Sequence, residues 1–318
     1  MPKKVIIDCD PGIDDAVALS MALFDPRLEV LAITAVEGNA TASNSSRNAQ
    51  ALLEQFDPPR YPRLGVADSP DGAPLHELDH FYGTDGLANC GFSVSVKQNQ
   101  HPADKVICDV VRSDPGNVTI VSLGPKTNLA RALKRDPEIG GMIREIVMVG
   151  GSVAGVGNVT ACAEFNLYYD PPAAQTVFES ATTKTLVPLD VTGQVVFSLD
   201  FLKELPEETT RVGKLLREVM PVSFRLHRQR IGLEGIHLPD AVALMAVLHP
   251  ELFETEEMHG QVDTGDGAAR GMSVFDRRCF PSSRPNMDVA VKIDASAVRS
   301  GILRGLKYSG QESSIQES

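Results

Sequence analysis

At 318 residues and 42% hydrophobic content, the chain is long enough for one large α/β domain or two small ones, with a sizeable buried core. A formal net charge of −12 at pH 7 argues against a nucleic-acid partner, because such proteins present a basic face to the phosphates. No apolar signal region opens the chain and no stretch approaches the ~18 uninterrupted apolar residues of a membrane helix, so no membrane association and a cytoplasmic location are expected.

Residues 5–19, VIIDCDPGIDDAVAL, read as strand, acidic loop and helix. Residues 29–41 read as a second strand ending at Gly38 and Asn39, followed by a helix from about Ser43 to Phe56. A short strand RLGVAD then leads to a long loop at 69–92, rich in Gly, Pro, Asp and His, where His76, His80, Tyr82 and Asp85 are functional candidates. Residues 102–113 look helical, and VTIVSLGPKTNLARAL at 118–133 again gives a buried strand, a Gly-Pro turn and a helix. The turn at Leu123-Gly124-Pro125 offers a backbone carbonyl to a metal. Residues 143–166 add an apolar strand, a Gly-rich loop and the polar group Asn158, Glu164 and Asn166. The glycines form neither GxGxxG nor a P-loop, which leaves a dinucleotide or triphosphate reading weak.

A helix at 171–180 and a strand at 185–192 complete an alternation that implies an α/β fold, with a mainly parallel, Rossmann-like sheet covered on both faces. From Leu199 the pattern turns helical (199–205, 209–231, 238–248), with Asp240 at the start of the last of these. Short strands and a helix near 295–307 follow. One domain over 1–309 is expected, with a disordered tail at 310–318. The five cysteines are scattered without CxxC spacing and favour buried thiols, Cys9 as a strand residue among them.

The acidic loop sets the chemistry. Asp8, Asp10, Asp14 and Asp15 place four carboxylates within eight residues, at a strand's carboxyl end where open α/β sheets bind ligands. Two unit charges about 4 Å apart repel by roughly 4 kcal/mol at an effective dielectric near 20, so converging acids favour a bound cation or a held proton. A hard divalent metal is the simplest partner. The plainer alternative is that Asp14 and Asp15 complement the positive end of the helix. An EF-hand is excluded, since Leu19 stands where its bidentate acid would be and a strand precedes the loop.

Taken together, DCDPGIDD, Gly38-Asn39, SLGPKTNLA, Gly157-Asn158 with AEFN, and LPDAVAL resemble, in order, the inosine-uridine preferring nucleoside hydrolase family. The resemblance implies hydrolysis of the N-glycosidic bond of ribonucleosides, releasing base and ribose, around a calcium ion. It also implies a small-molecule nucleoside as partner and a homodimer or homotetramer. Carried over by motif, calcium would be held by Asp10, Asp15, Asp240 and the Leu123 carbonyl. Asp14, Asn39, Asn158, Glu164 and Asn166 would hold the ribose, with Tyr82 a further substrate contact. Asp10 is the expected base, and Asp14 is counted catalytic with it.

The sequence departs from the family where the leaving base is protonated. Pro239 stands where many members place a histidine, and Tyr82 where others place a second one; Val149 and Glu37 also differ from the usual residues. Tyr82, His227, His237 and Arg228 are the substitutes in reach. Two alternatives follow from the missing histidine: an N-ribosyl hydrolase for a better leaving group such as a pyridinium riboside, and a non-catalytic nucleoside or ribose sensor. A haloacid dehalogenase-type phosphatase shares the strand and Asp8-x-Asp10, but leaves Asn39, Asn166 and Asp240 without a role.

Overall fold

In this computed structural model, residues 1–70, 82–95, 100–280 and 282–310 are described. The candidates His76 and His80 and the tail at 311–318 lie outside them. Among the described residues, nine strands form one sheet in the order β10-β13-β7-β6-β5-β1-β2-β3-β4. The central strands are β1 (Lys3–Cys9), β2 (Leu28–Ala35), β5 (Val118–Ser122), β6 (Glu145–Val149) and β7 (Lys184–Val187), all paired in parallel. The far edge is antiparallel, where β10 (Phe253–Met258) pairs with β13 (Met287–Ile293).

The chain builds outward from β1 through β2 to β3 (Arg63–Val66) and β4 (His101–Pro102), then returns to lay β5 on the other side of β1. This reversal is a topological switch point. Loops leaving neighbouring strands there diverge and open a crevice at their carboxyl ends.

Both faces of the sheet are buried, as near-continuous apolar strands require. Val5, Ile7 and Cys9 point to one side, into a core with the helices Ile13–Phe24, Arg211–Ile231, Pro239–Leu248 and Ala295–Tyr308. Ile6 points to the other, with Ile120 and Ile146, against the helices Ala103–Ser113, Thr127–Arg135 and Pro171–Glu179. The alternation is the period of two of an extended chain.

Most expected elements fall within a few residues of their places, with two instructive differences. The expected strand at 185–192 stops at Val187 and becomes a short helix, Leu189–Thr192. Pro188, as its N-cap, has no N–H with which to continue a strand ladder. The second difference is a small antiparallel pair, β8 (Val196–Ser198) with β9 (Gly235–His237), which brackets the long helix and brings His237 beside Pro239. No helix among the described residues is long and apolar enough to cross a membrane.

Ile120 lies in the middle of the sheet and is fully buried. Ile120→Ala should destabilise the fold by about 2–5 kcal/mol, read as a lower denaturation midpoint in urea at unchanged slope.

Candidate active site

The site grows from the carboxyl ends of β1, β2, β5 and β6. Asp8 is still in β1, and its Oδ1 accepts hydrogen bonds from Thr34 Oγ1 at 2.7 Å and Asn128 Nδ2 at 2.8 Å. It therefore anchors strands rather than facing the crevice. Asp10 lies just past the strand. Its Oδ2 accepts the Asn39 amide at 2.8 Å, and Asn39 Nδ2 reaches back to its carbonyl at 3.3 Å.

Gly38 and Gly124 crowd this carboxylate from two sides: a Cβ on Gly38 would sit 2.2 Å from Asp10 Oδ2, and one on Gly124 2.5 Å from Oδ1. Side chains are thus excluded where the Asp10 carboxylate must fit. The sequence marks these positions only as turn glycines.

Asp14 and Asp15 stand in the first turn of the helix after Gly12. Asp15 Oδ2 accepts the Gly12 amide at 2.8 Å, so the helix-start role holds for this oxygen. Its other oxygen, Oδ1, is buried and has no hydrogen-bond partner among the described residues. Asp240 enters from the far side, in the first turn of Pro239–Leu248.

Ligand oxygens of Asp14, Asp15 and Asp240 lie within 4.8 Å of one another, a grouping able to hold a metal ion. The tight trio thus contains Asp14, and Asp10 stands beside it. Burial raises all four carboxyls, Asp15 to about 7, and each is raised further by at least one of the others except Asp14. A group of buried, mutually close acids, with one buried oxygen unpartnered among the described residues, fits a hard divalent cation with oxygen ligands.

The other walls carry amides and one more acid. Glu164 caps the short helix Phe165–Tyr169, and its Oε2 accepts the amides of Gly151 at 2.9 Å and Leu167 at 3.2 Å. Asn158 Oδ1 accepts the Phe165 amide at 2.9 Å. Asn166 Nδ2 donates to the Leu123 carbonyl at 2.7 Å, which leaves that oxygen its second lone pair. Asp10, Asp14, Asn39, Asn158, Glu164 and Asn166 together face one cavity of about 540 Å³, which Leu123 and Asp240 also line.

Tyr82, His227, His237 and Pro239 line the same cavity. His227 Nδ1 lies 2.9 Å from the Ser223 carbonyl and donates to it. His237 Nδ1 is buried without a partner among the described residues, and burial holds its imidazole below the usual pKa. Burial, with Asp14 next, holds the Tyr82 phenol well above its usual range, so it keeps its proton.

Two candidates fall elsewhere. Arg228 is exposed and lies 3.6 Å from Glu234. Asp85 Oδ1 accepts the amides of Leu87 and Asn89, both at 2.8 Å, and so shapes its own turn. Glu37 accepts the Tyr169 hydroxyl at 2.7 Å and the Ala42 amide at 2.8 Å. Cys9 is a fully buried strand residue, as expected. Nothing in the sequence singles out Lys126, yet it is completely buried next to this site.

Residues 5–300 match the family described as inosine-uridine preferring nucleoside hydrolase. The chain is 34% identical over 277 residues to a probable uridine nucleosidase 2 of Oryza sativa subsp. japonica, covering 86% of this chain and 82% of the relative. It is 32% identical over 297 residues to an inosine-uridine preferring nucleoside hydrolase of Crithidia fasciculata, covering 92% and 94%. A solved structure, the purine-preferring ribonucleoside hydrolase from Gardnerella vaginalis, superposes with a TM-score of 0.87 at 30% identity, covering 96% of this chain and 98% of that one. With the family match spanning nearly the whole chain, the chain belongs to the inosine-uridine preferring nucleoside hydrolase family and is an enzyme that hydrolyses the N-glycosidic bond of ribonucleosides.

Proposed function

We propose that the enzyme is calcium-dependent, that Asp10 is its general base, and that ribose is held by Asp14, Asn39, Asn158, Glu164 and Asn166. The observation that carries this reading is the buried Asp15 Oδ1, unpartnered among the described residues, grouped with Asp14 and Asp240 beside a cavity that Asp10, Asp14 and Asp240 line. Asp10, Asp15, Asp240 and the Leu123 carbonyl would hold the ion, with Asp14 close enough to join them. When bound, calcium supplies positive charge that lowers the pKa of the surrounding carboxyls and of a water beside them.

Asp10 is fixed for its role by the Asn39 amide and by the two glycines that wall it in. In the reaction it takes a proton from the water attacking the anomeric carbon as the C–N bond breaks, and the bonding pair leaves with the base. Positive charge develops on the sugar, and Asp14 and Glu164 face it. Asn158, Asn166 and Asn39 offer donors and acceptors to the hydroxyls, and a deoxy analogue would leave them unpaired.

The leaving base then needs a proton that Pro239 cannot give. His227 is our choice for its source. Its Nδ1–H is occupied by the Ser223 carbonyl, so Nε2 is the nitrogen left for the cavity and gives a proton there only from the doubly protonated imidazolium, which is left neutral; His237 and Tyr82 line the same cavity. This arrangement supports ordinary ribonucleosides over the pyridinium alternative, which would need no acid. The relatives' names span uridine, inosine and purine preference, so the base is set by this chain's own wall. A homodimer or homotetramer completes the proposal, on resemblance alone.

Ribose release from a panel of purine, pyrimidine and pyridinium ribosides, with and without prior chelation, tests the reading. Release should require calcium and extend to an ordinary nucleoside; release from the pyridinium riboside alone would establish the alternative. Asp10→Ala should reduce kcat by at least about 10³-fold, on the scale of losing a catalytic base that also binds the ion. Near-normal turnover in that variant would sink the assignment.

A third expectation concerns pH. In the cation-free protein Asp15 titrates at about 7 and Asp8 at about 6, whereas in the unfolded chain both lose their protons near pH 4. Between these limits the folded state binds more protons, so stability falls as pH rises. The chelated enzyme should therefore melt at a lower temperature at about pH 8 than at about pH 5.5, and calcium should raise the melting temperature more at the higher pH.

A further inference from the structure

Lys126 sits immediately before the helix Thr127–Arg135, with a completely buried side chain. Its ammonium donates to the carbonyls of Gly124 at 2.6 Å and Val149 at 2.9 Å, and reaches that of Ser122 at 3.4 Å. All three of its protons are thus directed at backbone oxygens at the carboxyl ends of β5 and β6. These are the strand ends that carry the Leu123 carbonyl and the Gly150-Gly151 turn whose amide holds Glu164.

A lysine buried among neutral carbonyls is expected to give up its proton readily. Burial does pull Lys126 down, to about 8, and the fields of Glu164, Asp8, Asp10 and Asp240 oppose the fall. It is therefore charged at neutral pH, and the acids that keep it so include members of the site itself.

We infer that Lys126 is a built-in counter-cation. Its ammonium, fixed behind the cavity floor between β5 and β6, offsets part of the acid group's charge and thereby limits how tightly that group binds a divalent ion. The inference rests on the cation site proposed above.

The consequence follows from linkage. In the cation-free enzyme the ammonium relieves repulsion among the acids, and a divalent ion arriving there is repelled by it. Removing the charge makes the free state worse and the ion more welcome, so affinity and stabilisation by the ion rise together. A lysine that served only to tie the two strand ends would behave oppositely, since its loss would loosen the Leu123 turn and weaken binding.

The experiment is calorimetric titration of calcium into the chelated, desalted full chain, with melting temperatures taken in parallel. Lys126→Met removes charge and hydrogen bonds, Lys126→Gln removes charge while keeping two amide protons, and Lys126→Arg keeps charge at the expense of fit. Both neutral variants should bind calcium tighter than wild type by on the order of tenfold, and should gain more in melting temperature on binding it. Lys126→Arg should bind within about threefold of wild type even if it melts lower. Neutral variants that fold only with calcium would support the inference in stronger form.

Unchanged or weaker binding in folded Lys126→Gln would overturn it. So would neutral variants that fail to fold even in saturating calcium, because the lysine would then be a tie the ion cannot replace. A wild-type chain that takes up no calcium would instead remove the cation site, and the inference with it.

Discussion

Like-charged carboxylates held together out of water are the constraint around which this molecule is arranged. Asp10, Asp14, Asp15 and Asp240 repel one another, burial removes the solvent that would screen them, and their pKa values rise in response. Such a group persists only if the surrounding fold fixes its members and something positive or protic satisfies them. The fold supplies amide donors to Asp10 and Asp15 and a buried ammonium beside the site.

The sheet topology makes this convergence possible. The reversal of strand order at β1 opens a crevice between loops that leave in opposite directions, and Asp10 and Leu123 come from the two neighbouring strands at that point. Asp240 arrives from a helix more than two hundred residues later, packed against the helix that carries Asp14 and Asp15. Gly38 and Gly124 then allow the backbone to close on Asp10 to a distance that any side chain would prevent. Rigid elements hold every member of the group, as a site that opposes its own charge requires.

The lining of the cavity is of two characters. Around the acids, Asn39, Asn158, Glu164 and Asn166 are each held by a backbone partner, so their orientation is set before any substrate arrives. The same cavity is also lined by Tyr82, His227, His237 and Pro239, with the exposed apolar residues Ile231 and Leu233.

Much of this was legible in the chain. Apolar runs alternating with helical periods fixed an α/β class, and acids clustered after the first run marked a strand's carboxyl end, because local spacing alone brings Asp8 to Asp15 together. The resemblance named Asn39, Asn158, Glu164, Asn166 and Asp240, and these residues line one cavity. What local spacing could not carry was distance across the fold. Only the packed structure showed that Asp14 groups with Asp15 and Asp240, that Asp8 bonds to Thr34 of the neighbouring strand and to Asn128 while Asp85 bonds within its own turn, and that Arg228 is exposed. Lys126 was invisible for the same reason. A lysine in a turn is ordinarily solvated, and its burial against Gly124 and Val149 depends on two strands, β5 and β6, that are joined through intervening helices and meet only in the sheet. Sequence determined which chemical groups were present and which element bore each; tertiary structure decided their mutual distances and their access to water, and charge interactions depend on both.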